Sequence, residues 1–164
     1  MKWQNHKLCN AAIIYGITGN LRATILSSIG AVLPDILELN GVIRHRTITH
    51  YPYIYIVPAI LLIPFMHTNI YYMTLFWVII GCIIHLILDS ASKSGIPYIR
   101  PYGNDKIAFN LYTTHHISEW YISIFITLIF GMLARLNNFL YVNHFTNELN
   151  IIYHTGVRII SANI

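Results

Sequence analysis

The sequence predicts an all-α protein: a polytopic membrane helical bundle of about five helices, the first two short. Three observations carry that prediction. Of 164 residues, 55% are hydrophobic and only 10% charged, where an ordinary soluble domain has roughly 25% charged residues. Ten Lys/Arg and six Asp/Glu are too few to coat a soluble domain of this size. Apolar stretches recur at about residues 9–18, 23–34, 51–66, 70–89 and 119–141, separated by polar segments.

Taken in order, the first two stretches are too broken for one crossing. A single helix from 9 to 33 would carry Gly16, Gly19, Asn20 and Arg22 at its centre, so a hairpin of two short, half-buried helices turning near Gly19–Asn20 is expected. Lys2 and Lys7 ahead of CNAAIIYGITG imitate a signal peptide, but no small-x-small cleavage pattern follows and a second apolar run begins almost at once. The third stretch, YPYIYIVPAILLIPFM, carries three prolines and reads as a kinked span. IYYMTLFWVIIGCIIHLILD and the run beginning WYISIFITLIFGMLARL reach the roughly 20 residues that cross a bilayer. Residues 1–141 form the membrane-embedded domain on this reading, and the less hydrophobic tail 142–164 is expected to lie along the membrane surface or to fray.

The hairpin sets the topology. It places residues 1–8, 35–50 and 90–118 on one side and 19–22, 67–69 and the tail after about 136 on the other. Lys2, Lys7, Arg44, Arg46, Lys93, Arg100 and Lys106 collect on the first side, against Arg22, Arg135 and Arg158 on the second, so the first side is expected to face the cytoplasm and the C-terminus the opposite compartment. The net charge of +4 is scattered, and no basic stripe is interleaved with aromatics, which argues against a nucleic-acid partner. Cys9 and Cys82 lie in apolar stretches without CxxC spacing and read as two buried thiols, with a single disulfide between them the alternative.

The unusual polar residues gather on the first side. HLILD sets His85 and Asp89 four apart, one helical turn above the other. Burying both is expensive unless they pair or hold a cation, and the same spacing offers two ligands from one helix face. HHISE repeats the spacing with His115 and Glu119, although Glu119 also suits the positive start of a solvated helix. LPDILE offers Asp35, RHRTITH offers His50, and His6 lies near the start of the chain. Nitrogen and oxygen donors of this kind suit zinc or manganese in a hydrolytic site rather than a structural thiolate zinc. Arg44, His45, Arg46 and Thr49 beside such a centre suit a phosphate or carboxylate substrate, though Arg44 and Arg46 also read as charges that set topology.

LPDI, HRTITH and GCIIHLILDSASKSGIPYIRP together resemble the YdjM-type family of inner-membrane, metal-dependent hydrolases, over about Asn5 to Glu119. That family is similar in turn to the zinc-dependent phospholipase C and nuclease superfamily, all-helical enzymes with a clustered metal site. The resemblance puts His6, Asp35, His50, His85 and Asp89 on ligand positions, Glu119 on the acidic position opening the late helix, and His115 in the superfamily's second histidine–carboxylate pair. Three positions depart from the pattern: Leu37 stands where a second aspartate is usual, with Glu38 displaced by one; Ser92 replaces Thr; and Thr47 replaces Gly. The resemblance implies hydrolysis without naming a substrate. A site at the cytoplasmic edge of a membrane protein can reach a lipid headgroup or lipid-linked phosphate, so a small phosphoester of that type is expected, with cytosolic nucleotides the alternative. Two or more divalent ions, zinc or manganese, are expected with it. Asp35 would take the proton of water and Arg46 would hold the anion. A transporter or ion-binding protein, and a structural membrane component without catalysis, are the rival readings.

Overall fold

The computed structural model describes residues 1–138; the expected domain end at 141 and the tail 142–164 lie outside the described residues. Helix α1 spans Trp3–Thr18 and α2 spans Leu21–Gly30. Gly19 ends α1 in the left-handed region, φ 61°, its N–H donating to the Tyr15 carbonyl, and Asn20 then caps α2 by accepting from the Ala23 N–H at 3.1 Å. A residue without Cβ stops one helix and a short polar side chain starts the next. The expected hairpin therefore forms at Gly19–Asn20.

Helix α1 begins well before its apolar stretch. The polar segment WQNHKL is helical because Asn5, His6, Cys9 and Asn10 share one buried face, so burial there follows partners and not hydrophobicity. After α2 comes the single turn α3, Leu33–Ile36, with Pro34 in its first turn, where a missing N–H costs nothing. Two 3-10 turns, Leu39–Gly41 and Ile48–His50, then return the chain to the bundle.

The third apolar stretch departs from expectation. Helix α4, Tyr53–Leu62, carries Pro58 inside it and passes into a 3-10 turn, Ile63–Phe65. Helix and turn together rise only about 20 Å, short of the roughly 30 Å hydrocarbon core, because Pro64 and the turn at residues 66–68 stop the helix. Among the described residues two helices are long and apolar enough to cross a membrane, α5 at Ile70–Ser90 and α6 at Ile117–Asn138. Their outward residues are large and apolar, as Leu75 of α5 and Phe125 of α6 illustrate. Between them lies an element that an all-α prediction omits: Ile96–Pro97 pairs antiparallel with Lys106–Ile107. This small hairpin closes over the end of α5, held by Phe109 N–H on Ser90 O and Leu111 N–H on Ala91 O, both at 2.8 Å.

Helix α5 is the axis of the bundle, with α2, α4 and α1 packed on it. Its contact with α2 is backbone against backbone: a Cβ built on Gly81 would stand 1.9 Å from the Ser27 carbonyl oxygen, and one on Gly30 would stand 1.9 Å from that of Val78. Small residues at such a crossing let two helices approach until main-chain atoms touch. Helix α6 lies across α1, where Gly16 meets Phe130 and Asn137 Nδ2 donates to the Gly16 carbonyl at 2.7 Å. Cys9 and Cys82 are buried and unbridged.

The crossing of α2 and α5 should tolerate no side chain. Gly81→Ala and Gly30→Ala are each expected to cost about 1–3 kcal/mol, read as a lowered thermal midpoint in detergent. Gly131→Ala, which has nothing within 4 Å, serves as a neutral control. Equal midpoints for all three would refute the close-contact account.

Candidate metal centre

The start of α1, the end of α2 with α3, the end of α5 and the start of α6 meet at one end of the bundle. His85 and Asp89 project from the last turns of α5, fully buried. Because Gly30 and Gly81 bring the helices together, His85 reaches the chain just past α2, and its Nδ1 donates to the Ala31 carbonyl at 2.7 Å. A carbonyl only accepts, so the proton sits on Nδ1 and the Nε2 lone pair faces the cluster.

His50 is set the same way from the other side. Its Nδ1 lies 3.1 Å from Glu38 Oε1, a carboxylate buried to 8% exposure that also accepts the Arg46 N–H at 3.1 Å and the Thr49 hydroxyl at 3.2 Å. His50 Nε2 therefore points inward and stands 3.2 Å from His85 Nε2. Two neutral rings so oriented would press lone pair against lone pair. Asp35 Oδ1, buried and without a hydrogen-bond partner among the described residues, completes that side, 3.4 Å from His50 Nε2 and 3.6 Å from His85 Nε2.

Asp89 closes the arrangement with both oxygens. Oδ2 lies 3.4 Å from His50 Nε2 and 3.8 Å from His85 Nε2, while Oδ1 lies 3.3 Å from His6 Nε2 and 3.0 Å from the Met1 amino group. His6 stacks on His85 with ring centroids 3.9 Å apart. Tetrahedral coordination at bonds of about 2.0–2.1 Å sets donor atoms roughly 3.3–3.4 Å apart. Five separations among His50 Nε2, His85 Nε2, Asp35 Oδ1 and Asp89 Oδ2 run from 3.2 to 3.8 Å, around that spacing. All four are nitrogen or oxygen donors, so the residues present fit a zinc-sized cation.

Several residues named from the sequence sit elsewhere. Arg46 is 7% exposed and spends its guanidinium inward, Nη2 on Asp89 Oδ2 at 3.1 Å and Nη1 on Ser92 Oγ and the Gly95 carbonyl. It orients Asp89 rather than gripping an incoming anion. Ser92, where the pattern has Thr, keeps the hydroxyl that takes this bond. Thr49 lies beneath His50 against Glu38, His45 is exposed and bonds Glu38 at 2.7 Å, and Arg44 faces solvent.

His115 and Glu119 do not share a helical turn, since α6 begins at Ile117. Glu119 is buried, but its oxygens accept the Lys2 N–H at 2.7 Å, the His115 N–H at 2.9 Å and the Asn5 amide, so it joins α1 to α6 instead of the cluster. Glu38 is the residue that the sequence undervalued. Its signal was the Asp35-x-x-Glu38 spacing, overlooked because the expected position was one residue earlier.

Outside the membrane-spanning helices, two members carry shifted acidities. Burial pushes the Asp35 carboxyl up, but the His50 and His85 imidazoles beside it outweigh that and hold the group below its usual range. Burial pushes the His50 imidazole down, and the carboxylates of Asp35 and Asp89 more than reverse it.

The described residues form a helical bundle with two candidate membrane spans and a buried histidine–carboxylate cluster at one end. The family model described as YdjM inner membrane protein matches residues 1–159, and the chain belongs to that family. No curated protein and no solved structure matches it.

The His50 shift fixes a sign. A pKa raised on folding gives stability that is fully present below the unfolded value, 6.5, and is lost as pH rises through the folded value. The thermal midpoint of chelator-treated protein should therefore fall as pH climbs above 6.5, and His50→Gln should flatten the slope. A slope unchanged in His50→Gln would assign the pH dependence to another group.

Proposed function

We propose that this protein is a membrane-bound, metal-dependent hydrolase, a phosphoesterase acting on a lipid headgroup or lipid-linked phosphate. The observation that carries the reading is the pair of imidazole Nε2 atoms 3.2 Å apart, each turned inward by an acceptor on its own Nδ1 and facing the unpartnered Asp35 Oδ1. Acceptors converge in this way where a cation is to be held.

Under this reading Asp35, His50, His85 and Asp89 hold zinc or manganese. His6 with Asp89 Oδ1 offers donors toward a second ion. When bound, a divalent cation neutralises the carboxylates and lowers the pKa of water from 15.7 towards about 7. The chain supplies the rest. Glu38 and the Ala31 carbonyl fix the two tautomers, and Arg46 fixes Asp89. Asp35, at 12% the most exposed of the five side chains, lines a cavity of about 450 Å³ and takes the proton of the attacking water. The new bond joins water oxygen to phosphorus, the ester P–O bond breaks, and the proton passes to the leaving alkoxide.

Membership of an inner-membrane family and the placement of the cluster at a helix end support a substrate that reaches the membrane surface. Lys2, Lys7, Arg44, Lys93, Arg100 and Lys106 flank that end by chain position, against Arg22 and Arg135 at the other, which supports a multi-pass chain with the cluster on the cytoplasmic side.

Elemental analysis of protein purified in detergent without chelator should find at least one zinc or manganese ion per chain. His85→Ala and Asp89→Ala should lose it, together with any phosphoester hydrolysis. Glu38→Gln should weaken metal binding about 10–100-fold. Folded wild-type protein without metal would overturn the proposal.

A further inference from the structure

With Arg46 sealed behind Asp89, the cluster needs another group to receive an anionic substrate. The cavity over Asp35 and Asp89 is also lined by Lys2, Trp3, Thr114 and His115. Three features of that rim are unexplained by packing. Thr114 Oγ1 is buried with no hydrogen-bond partner among the described residues, which costs stability unless a ligand or water completes it. His115 is exposed yet holds φ 63°, a conformation that non-glycine residues adopt at a cost and that marks functional turns. The third is Glu119, whose two oxygens accept the Lys2 N–H and the His115 N–H. One buried carboxylate thus fixes the two cationic or N–H-bearing rim residues relative to each other, across 113 positions of sequence, from Lys2 to His115.

The carboxylates on the cavity floor do not oppose an anion at this rim. Asp89 is paired with Arg46 and Glu38 with His45 and His50, and the third, Asp35, would be neutralised by the cation of the proposed hydrolase. We infer, building on the phosphoester reading above, that Lys2, Thr114 and His115 form the receptor for the phosphate anion of the substrate. Glu119 is the positioning residue that holds it open. The lysine ammonium, the hydroxyl and the imidazole N–H are donors suited to phosphate oxygens. Trp3, half exposed beside them, suits the membrane–water boundary at which a headgroup would enter.

The test measures binding of inorganic phosphate by calorimetry to zinc-loaded, full-chain protein in nanodiscs, with zinc content and thermal midpoint read on the same samples. Lys2→Met and His115→Gln should each weaken phosphate about tenfold, and Thr114→Val should also weaken it, at unchanged zinc content and midpoint. Phosphate affinity equal to wild type in all three variants would overturn the receptor.

Adding phosphatidic acid to phosphatidylcholine nanodiscs distinguishes the source. Competition with phosphate means that the receptor takes a lipid headgroup, and its absence, with phosphate still bound, means a soluble phosphoester. Zinc-free wild-type protein would sink the hydrolase reading alone, since phosphate binding that still depends on Lys2 and His115 would uphold the receptor.

Discussion

Burial of the Asp89 carboxylate is the constraint around which the rest of the fold is arranged. A carboxylate at 1% exposure is costly unless its oxygens meet positive or donating groups. Here those groups come from every direction: Arg46 and His50 from the loop after α3, His6 and the Met1 amino group from the start of α1, and His85 from its own helix. Removing one partner of such a buried pair leaves an uncompensated charge, at about 3–5 kcal/mol, whereas an apolar replacement of the whole set can be neutral. Stability alone therefore does not account for the cluster. The binding of a cation, as proposed, gives it a reason to exist.

Much of this was legible in the residues. Gly19–Asn20 reads as a helix stop followed by a cap, and the hairpin formed there; the five apolar stretches are occupied by α1, α2, α4, α5 and α6. His6, Asp35, His50, His85 and Asp89, gathered on one side by the expected topology and named together by the resemblance, lie close together at one end; that they hold a metal is the proposal above. What failed did so for local reasons. The third stretch is hydrophobic enough to span, but Pro64 and the turn after it end the helix early. Arg46 looked like a free cation because sequence does not report that its partner is Asp89, 43 positions away. The i, i+4 spacing of His115 and Glu119 was taken as one helical turn, yet the helix starts between them. No pattern could announce the Ala31 carbonyl, since a backbone acceptor has no residue type.

Helix packing and the cluster are linked through glycine. The crossing of α2 and α5 at Gly30 and Gly81 closes to main-chain contact, and one turn beyond it His85 bonds Ala31 at 2.7 Å. A side chain at either glycine would push α2 outward and take that carbonyl away from the imidazole. In a membrane, where lipid gives little hydrophobic preference for helix over tail, close packing of small residues holds helices together. The same two glycines thus determine both the bundle and the tautomer of a cluster histidine.

The five clustered side chains are not equivalent in access. His6, His85 and Asp89 project from long helices and are at most 1% exposed, and His50 is equally closed though it sits on a loop; Asp35 alone reaches 12%. Helix-borne donors hold position precisely enough for a fixed geometry, while α3 and the loop to His50 are tied back by Glu38. Under the proposed reading, water and substrate would approach from the cavity on the Asp35 side; among the described residues Arg46 covers one flank of Asp89 and the stacked His6 and His85 rings lie on the other. The proposed rim of donors lies on that same side, where it would meet a substrate on its way to the cluster.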